Sequence, residues 1–119
     1  MSVRSCANLE VVFRVMKTYK LIQNPENSLF GIQDENGKEV FPCIYSEIDY
    51  ENVYDGIFVK AAKPSQDISL WGVLRLDTAK EVIPPINDWV SEIYEGARVR
   101  LSRTKGPRTI RNWVYLNNL

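Results

Sequence analysis

The sequence predicts an all-β chain: tandem three-stranded antiparallel β repeats of about 41 residues, stacked into one small curved sheet or barrel-like domain with at most short helical turns. Three observations carry that expectation. The phrase LFGIQDENGKEVFPCI, beginning at Leu29, returns as LWGVLRLDTAKEVIPPI at Leu70. Apolar and polar side chains alternate through both copies, as in half-buried strands, and glycine, asparagine and proline punctuate them at matching places.

Residues 1–28 form a partial opening unit, because VFRVMKTYK from Val12 echoes the strands IFVKAAK and ARVRLSR found later. The first whole unit runs over 29–69. Its strand LFGIQD puts Phe30 and Ile32 on one face, and Asn36 with Gly37 supplies the positive-φ pair of a type I′ turn before KEVF. Pro42, with no amide hydrogen to donate, ends ladder pairing there, and Gly56 opens the third strand.

The second unit, 70–111, matches the first residue by residue. Leu70, Trp71, Gly72 and Val73 answer Leu29, Phe30, Gly31 and Ile32; Lys80, Glu81 and Val82 answer Lys38, Glu39 and Val40; Pro84 answers Pro42. One extra residue widens its turn at Asp77, Thr78 and Ala79. A single helical or 3₁₀ turn is expected near Asp88, and Gly96 opens the next strand. Residues 112–119 begin a further partial unit, with Trp113 and Tyr115 standing where Trp71 and Val73 stood and Val114 replacing the glycine.

The recurring WG, the glycine-lysine turn and the EVIPPI phrase resemble the WG-containing β repeat family of bacterial proteins, over Leu29 to about Arg103. Phe30 and Val114 depart from its pattern. The resemblance implies an all-β stack and a binding or scaffolding role with no dedicated active site.

Composition narrows the class. A chain of 119 residues has room for one domain, and no apolar run approaches the roughly 18 residues of a membrane span. No signal peptide is apparent at the N-terminus, so a cytoplasmic location is expected. Cys6 and Cys43 are read as free thiols in a reducing cytosol, with a disulfide between them the alternative.

With no histidine there is no imidazole for acid-base or nucleophilic work, and no phosphate-loop or nucleophile-elbow motif occurs. An enzyme is therefore not expected, nor a metal or cofactor. Asp49, Glu51 and Asp55 lie close in sequence, but clustered acids in a turn are read as a solvated face rather than as a catalytic pair or a calcium loop.

Net charge is zero but segregated. Glu26 to Asp55 holds eight acids and one base, whereas Gly96 to the end holds six bases and no acid. Arg98 and Arg100 alternate with Val99 and Leu101, so a strand directs both arginines away from its apolar side. Lys105, Gly106 and Pro107 form a hairpin tip, and the return strand carries Arg108 and Arg111 ahead of Trp113 and Tyr115.

Trp89, Arg98, Arg100, Arg103, Lys105, Arg108 and Arg111 are therefore the candidate partner-binding residues. Trp71 and Trp113, recurring at one repeat position, are read as core; Trp89, which does not recur and follows Asp88 in a loop, is the contact candidate. Charged residues on an end hairpin also oppose edge-to-edge aggregation, so their bland reading stands beside the functional one. Of the functions left open, a protein-binding module is favoured. A small inhibitor or immunity-type protein and an RNA or single-stranded DNA binder are the alternatives, and self-association is open as well.

Overall fold

The computed structural model describes residues 10–14 and 19–119; for residues 10–14 and Lys105 the backbone alone is described. Eleven strands fall into three antiparallel sheets among the described residues. The first sheet takes β1 (Glu10–Arg14), β2 (Tyr19–Gln23), β3 (Phe30–Asp34) and β4 (Glu39–Tyr45) in chain order. The middle sheet takes β5 (Glu47–Ile48), β6 (Phe58–Ser65), β7 (Ile68–Arg75) and β8 (Lys80–Asn87). The third takes β9 (Trp89–Val90), β10 (Arg98–Lys105) and β11 (Arg108–Tyr115), followed by a 3₁₀ turn at Leu116–Asn118.

The all-β expectation holds. The single curved sheet or barrel does not: there are three small sheets, and no closed barrel forms among the described residues. The physical cause lies at the prolines. Pro42 and Pro84 were expected to end ladder pairing, yet β4 runs through Pro42 to Tyr45 and β8 through Pro84 and Pro85 to Asn87.

Both strands bulge instead. Phe30 pairs with Tyr45 and Ile32 with Phe41; Trp71 pairs with Asn87 and Val73 with Ile83. Each bulge loops across a glycine, which needs no ladder hydrogen bond from the proline. Beyond it the chain bends at Ser46 or Asp88 and begins a new sheet with a two-residue strand. No helical turn occurs near Asp88, and Trp89 lies in β9 rather than in a loop.

The middle sheet is buried on both sides. Val59, Ala61 and Leu74 pack toward Leu21, Ile32 and Tyr45 of the first sheet, while their neighbours Phe58 and Val73 pack with Val90 and Val99 of the third. Strand alternation thus feeds two cores from one sheet. Phe30 is partly buried against the first core and Trp71 against the second.

The turns depart from the type I′ expectation. Of Asn36 and Gly37 only the glycine has positive φ, at 82°, and the Gly37 amide donates to Asp34 O at 3.1 Å, as in a type I turn closed by a left-handed residue. Ala79 takes that role in the longer second turn with φ of 53°. A left-handed alanine costs about 1 to 2 kcal/mol, partly offset by its smaller unfolded-state entropy. Ala79→Gly is therefore expected to stabilise by about 0.5 kcal/mol, read as a higher urea midpoint at unchanged slope.

One polar joint ties the first sheet to the middle one. The Tyr45 hydroxyl, on a residue only 1% exposed, donates to Glu81 Oε2 at 2.5 Å, and Lys63 Nζ lies 3.0 Å from the same oxygen. Burial first, then the hydrogen bond to the Glu81 carboxylate, raises the Tyr45 pKa well above the usual tyrosine range. Above about pH 10 an unfolded tyrosine releases its proton while Tyr45 keeps it, so stability falls as pH rises. Tyr45→Phe is expected to cost about 1 to 2 kcal/mol near neutrality and to flatten that alkaline loss, measured by urea unfolding across pH.

Cys43 corrects another expectation. It is buried beside Ile22 and disulfide-bonded, not free; Cys6 lies outside the described residues. No helix among the described residues is long and apolar enough to cross a membrane.

Candidate functional site

The third sheet has an inner face and an outer one. Val99 on β10 and Val90 on β9 are buried against the middle sheet, which fixes the opposite face as the one turned to solvent. Register then assigns its occupants. Arg98 pairs with Tyr115, Arg100 with Trp113, and Ser102 with both Arg111 and Trp89. All share one face, since directly opposed residues in an antiparallel ladder project to the same side.

The sequence-predicted residues accordingly divide. Trp89, Arg98, Arg100 and Arg111 come together on the outer face, where Trp89, Arg100, Ser102 and Arg111 line an open depression of about 380 Å³. Arg103 and Arg108 fall one register step away and so belong to the opposite side, Arg103 beside Ile83, Pro84 and Ile110. Lys105 pairs with Arg108 at the hairpin end.

The aromatics are as exposed as the arginines. Trp89 is 51% exposed, Trp113 48%, Tyr115 53% and Tyr94 42%. The guanidinium of Arg98 lies 5.2 Å from the Trp113 ring centre and 5.8 Å from that of Tyr94, and Arg100 lies 5.8 Å from Trp113. Tyr94 and Trp113 are tilted against each other at 5.9 Å. Cation–π contact holds these side chains in place while leaving guanidinium hydrogens free to donate.

Trp113 corrects the core assignment. Trp71, at the matching place in the middle sheet, is covered because the third sheet packs over it; no described layer packs over Trp113. Tyr94 was missed altogether. It is positioned by its bridge to Arg98 across the Gly96 turn, a contact that the pairing of Arg98 alone could have signalled.

The arginines of this face make no ion pair among the described residues. Three ion pairs occur among the described residues, Lys60 with Asp49, Lys63 with Glu81 and Arg75 with Asp77, and none involves an arginine of the third sheet. Asp88 accepts a hydrogen bond from the Thr104 amide at 2.6 Å. None of the three ion pairs joins the acidic stretch to an arginine of the third sheet.

A second cavity of about 300 Å³ lies where the first sheet meets the middle one, lined by Phe30, Tyr50 and Trp71 with Glu47, Asp49 and Glu51. The chain already supplies it with a cation. Lys60 Nζ sits 3.7 Å from Asp49 and 5.8 Å from the Trp71 ring centre, and Asn52 donates to both Asp49 oxygens. No group of three potential metal ligands gathers among the described residues.

No protein-family model matches the chain, and neither a curated protein nor a solved structure does.

Proposed function

We propose that the chain is a non-enzymatic binding module that holds an acidic protein surface against the outer face of its third sheet. The observation that supports this reading is the convergence of Trp89, Arg98, Arg100, Arg111, Trp113 and Tyr115 on one exposed face whose arginines make no ion pair among the described residues. Arginine and large aromatics dominate binding energy at interface centres, and a field of one sign steers an oppositely charged partner toward it. Affinity capture from native cells tests it. A protein retained by the wild type and lost with Arg98→Glu plus Arg100→Glu is the expected result; retention of nothing by either form removes the support.

A second reading, single-stranded nucleic acid, is favoured by the exposed indole rings beside the guanidinium groups, since bases stack on such rings while arginines meet phosphate. Titration with oligothymidine at two salt concentrations separates the two. Contacts from three arginines to a single strand give a logarithmic salt slope of about −2, and a flat response removes this reading.

We further infer that the middle sheet is a duplicate of the first, in the manner of WG-type repeats, with a period of about 41 residues. The paired two-residue bulges over Gly31 and Gly72 support this, as do the matching bridges Tyr54–Phe58 and Tyr94–Arg98. The structural unit is offset from the sequence phrase by one strand: β6, which closes the first phrase, pairs with β7, which opens the second.

A further inference from the structure

We propose that the free edge of β11 receives an extended acidic segment of the partner protein as a fourth strand of the third sheet. The inference rests on the binding-surface reading above and adds to it the mode of attachment and the shape of the ligand.

Comparison of the sheets locates the vacancy. In the first two sheets the third strand is flanked on both sides, β3 by β2 and β4, and β7 by β6 and β8. In the third, β11 has β10 on one side and no described strand on the other over all 8 of its residues. The hairpin between β10 and β11 closes on the pair Lys105–Arg108 through a two-residue turn at Gly106 and Pro107. Counting from a closing pair that exchanges hydrogen bonds, the groups of Arg108, Ile110, Asn112 and Val114 face β10, and those of Thr109, Arg111, Trp113 and Tyr115 face the open side. These outward residues are also the ones whose side chains occupy the arginine and aromatic face. One incoming strand can thus take ladder bonds from the edge and lay alternate side chains among Arg98, Arg100 and Arg111.

The chemistry of that strand is restricted twice. Charge selects against a basic one, because like charges opposed across a ladder destabilise it, and a second copy of the chain would bring its own Arg108 and Arg111 to the contact. Shape selects against a bulged one. β4 and β8 fold across Gly31 and Gly72, where an added Cβ would lie 2.6 Å from Phe41 O and 2.3 Å from Ile83 O. The corresponding residue of β11 is Val114, whose Cβ would meet such a bulge as the added Cβ does at Gly31 and Gly72, so the edge suits a regular strand. Strand addition of this kind draws affinity from main-chain bonds and selectivity from alternate side chains.

The test uses the whole chain and end-blocked peptides as long as the 8 residues of β11, titrated by fluorescence anisotropy and followed by amide exchange. A peptide alternating glutamate with valine is expected to bind and to slow exchange at Arg111 and Trp113. Replacing its glutamates by lysines, or methylating alternate backbone nitrogens so that it cannot complete a ladder, is expected to weaken binding by about tenfold or more. Equal binding of the methylated and parent peptides, both lost with Arg98→Glu plus Arg100→Glu, overturns the edge while leaving the face reading intact. Binding of neither peptide, or of oligothymidine alone, overturns both. Protection of the same amides without peptide, with the mass of a dimer in solution, assigns the edge to a second copy and overturns the proposal.

Discussion

Gly72→Val is expected to destabilise the chain by about 3 kcal/mol or more and to lower the thermal midpoint by roughly 10 °C. An added Cβ there would lie 2.3 Å from Ile83 O and 2.8 Å from Pro84 C and Pro85 N, all backbone atoms of the bulge in β8. No rotamer relieves a clash with backbone. Either β8 lifts away, costing its pairs with β7 and the hydrogen bond from Asn87 Nδ2 to Trp71 O, or β7 shifts and disturbs both cores at Val73 and Leu74. Against a total stability of about 5 to 15 kcal/mol, either outcome removes a large share.

Gly56→Ala supplies the contrast. Gly56 has φ of 70° but nothing within 4 Å of an added Cβ, so only backbone strain of about 1 kcal/mol is expected. Differential scanning calorimetry of the two variants distinguishes close approach from turn conformation as the reason for each glycine. A Gly72→Val midpoint at or above that of Gly56→Ala would contradict the bulge geometry.

Those glycines also mark what was readable in the sequence. Alternation in LFGIQD and in its second copy from Leu70 predicted strands, and strands formed, because period-two patterning is a local property. Gly31 and Gly72 were legible as recurring features, but not as the floor of a bulge. That role depends on how β4 and β8 cross them, and Pro42 and Pro84 read locally as stops. Loss of a donor ends a regular ladder; it does not end a strand that bulges at the same residue.

The binding face was half legible for a related reason. Arg98 and Arg100 alternating with Val99 and Leu101 placed those arginines outside correctly. Joining them to Trp89 and Arg111 required the register of three strands, in which Ser102 meets both. Arg103 and Arg108 were grouped with them by composition, and the same alternation that set Arg98 outward sends these two to the opposite side. The disulfide at Cys43 stood only as the alternative to a free thiol, because distance along the chain does not tell whether two cysteines approach closely enough to bond.

Trp71→Ala and Trp113→Ala are expected to have opposite consequences, although sequence patterning treats these residues as equivalents. Trp71 packs against the second core beneath the third sheet, with Lys60 over its ring and its carbonyl accepting from Asn87. Its removal opens a cavity under a covering layer and is expected to cost about 3 kcal/mol of stability, the lower end for a large aromatic since the ring is not fully enclosed. Trp113 lies on the outermost described face, so truncation leaves no cavity and is expected to change the urea midpoint by less than about 1 kcal/mol equivalent. Its effect falls on binding instead. Without the ring, Arg98 and Arg100 lose the surface that orients them, and a tryptophan at the centre of an interface carries about 2 kcal/mol or more, roughly thirtyfold in affinity. Urea unfolding of both variants, with binding of the acidic peptide to the Trp113→Ala form, measures the two effects separately. Equal stability losses at the two tryptophans would mean that something covers Trp113 as the third sheet covers Trp71, and the outer face would then be interior.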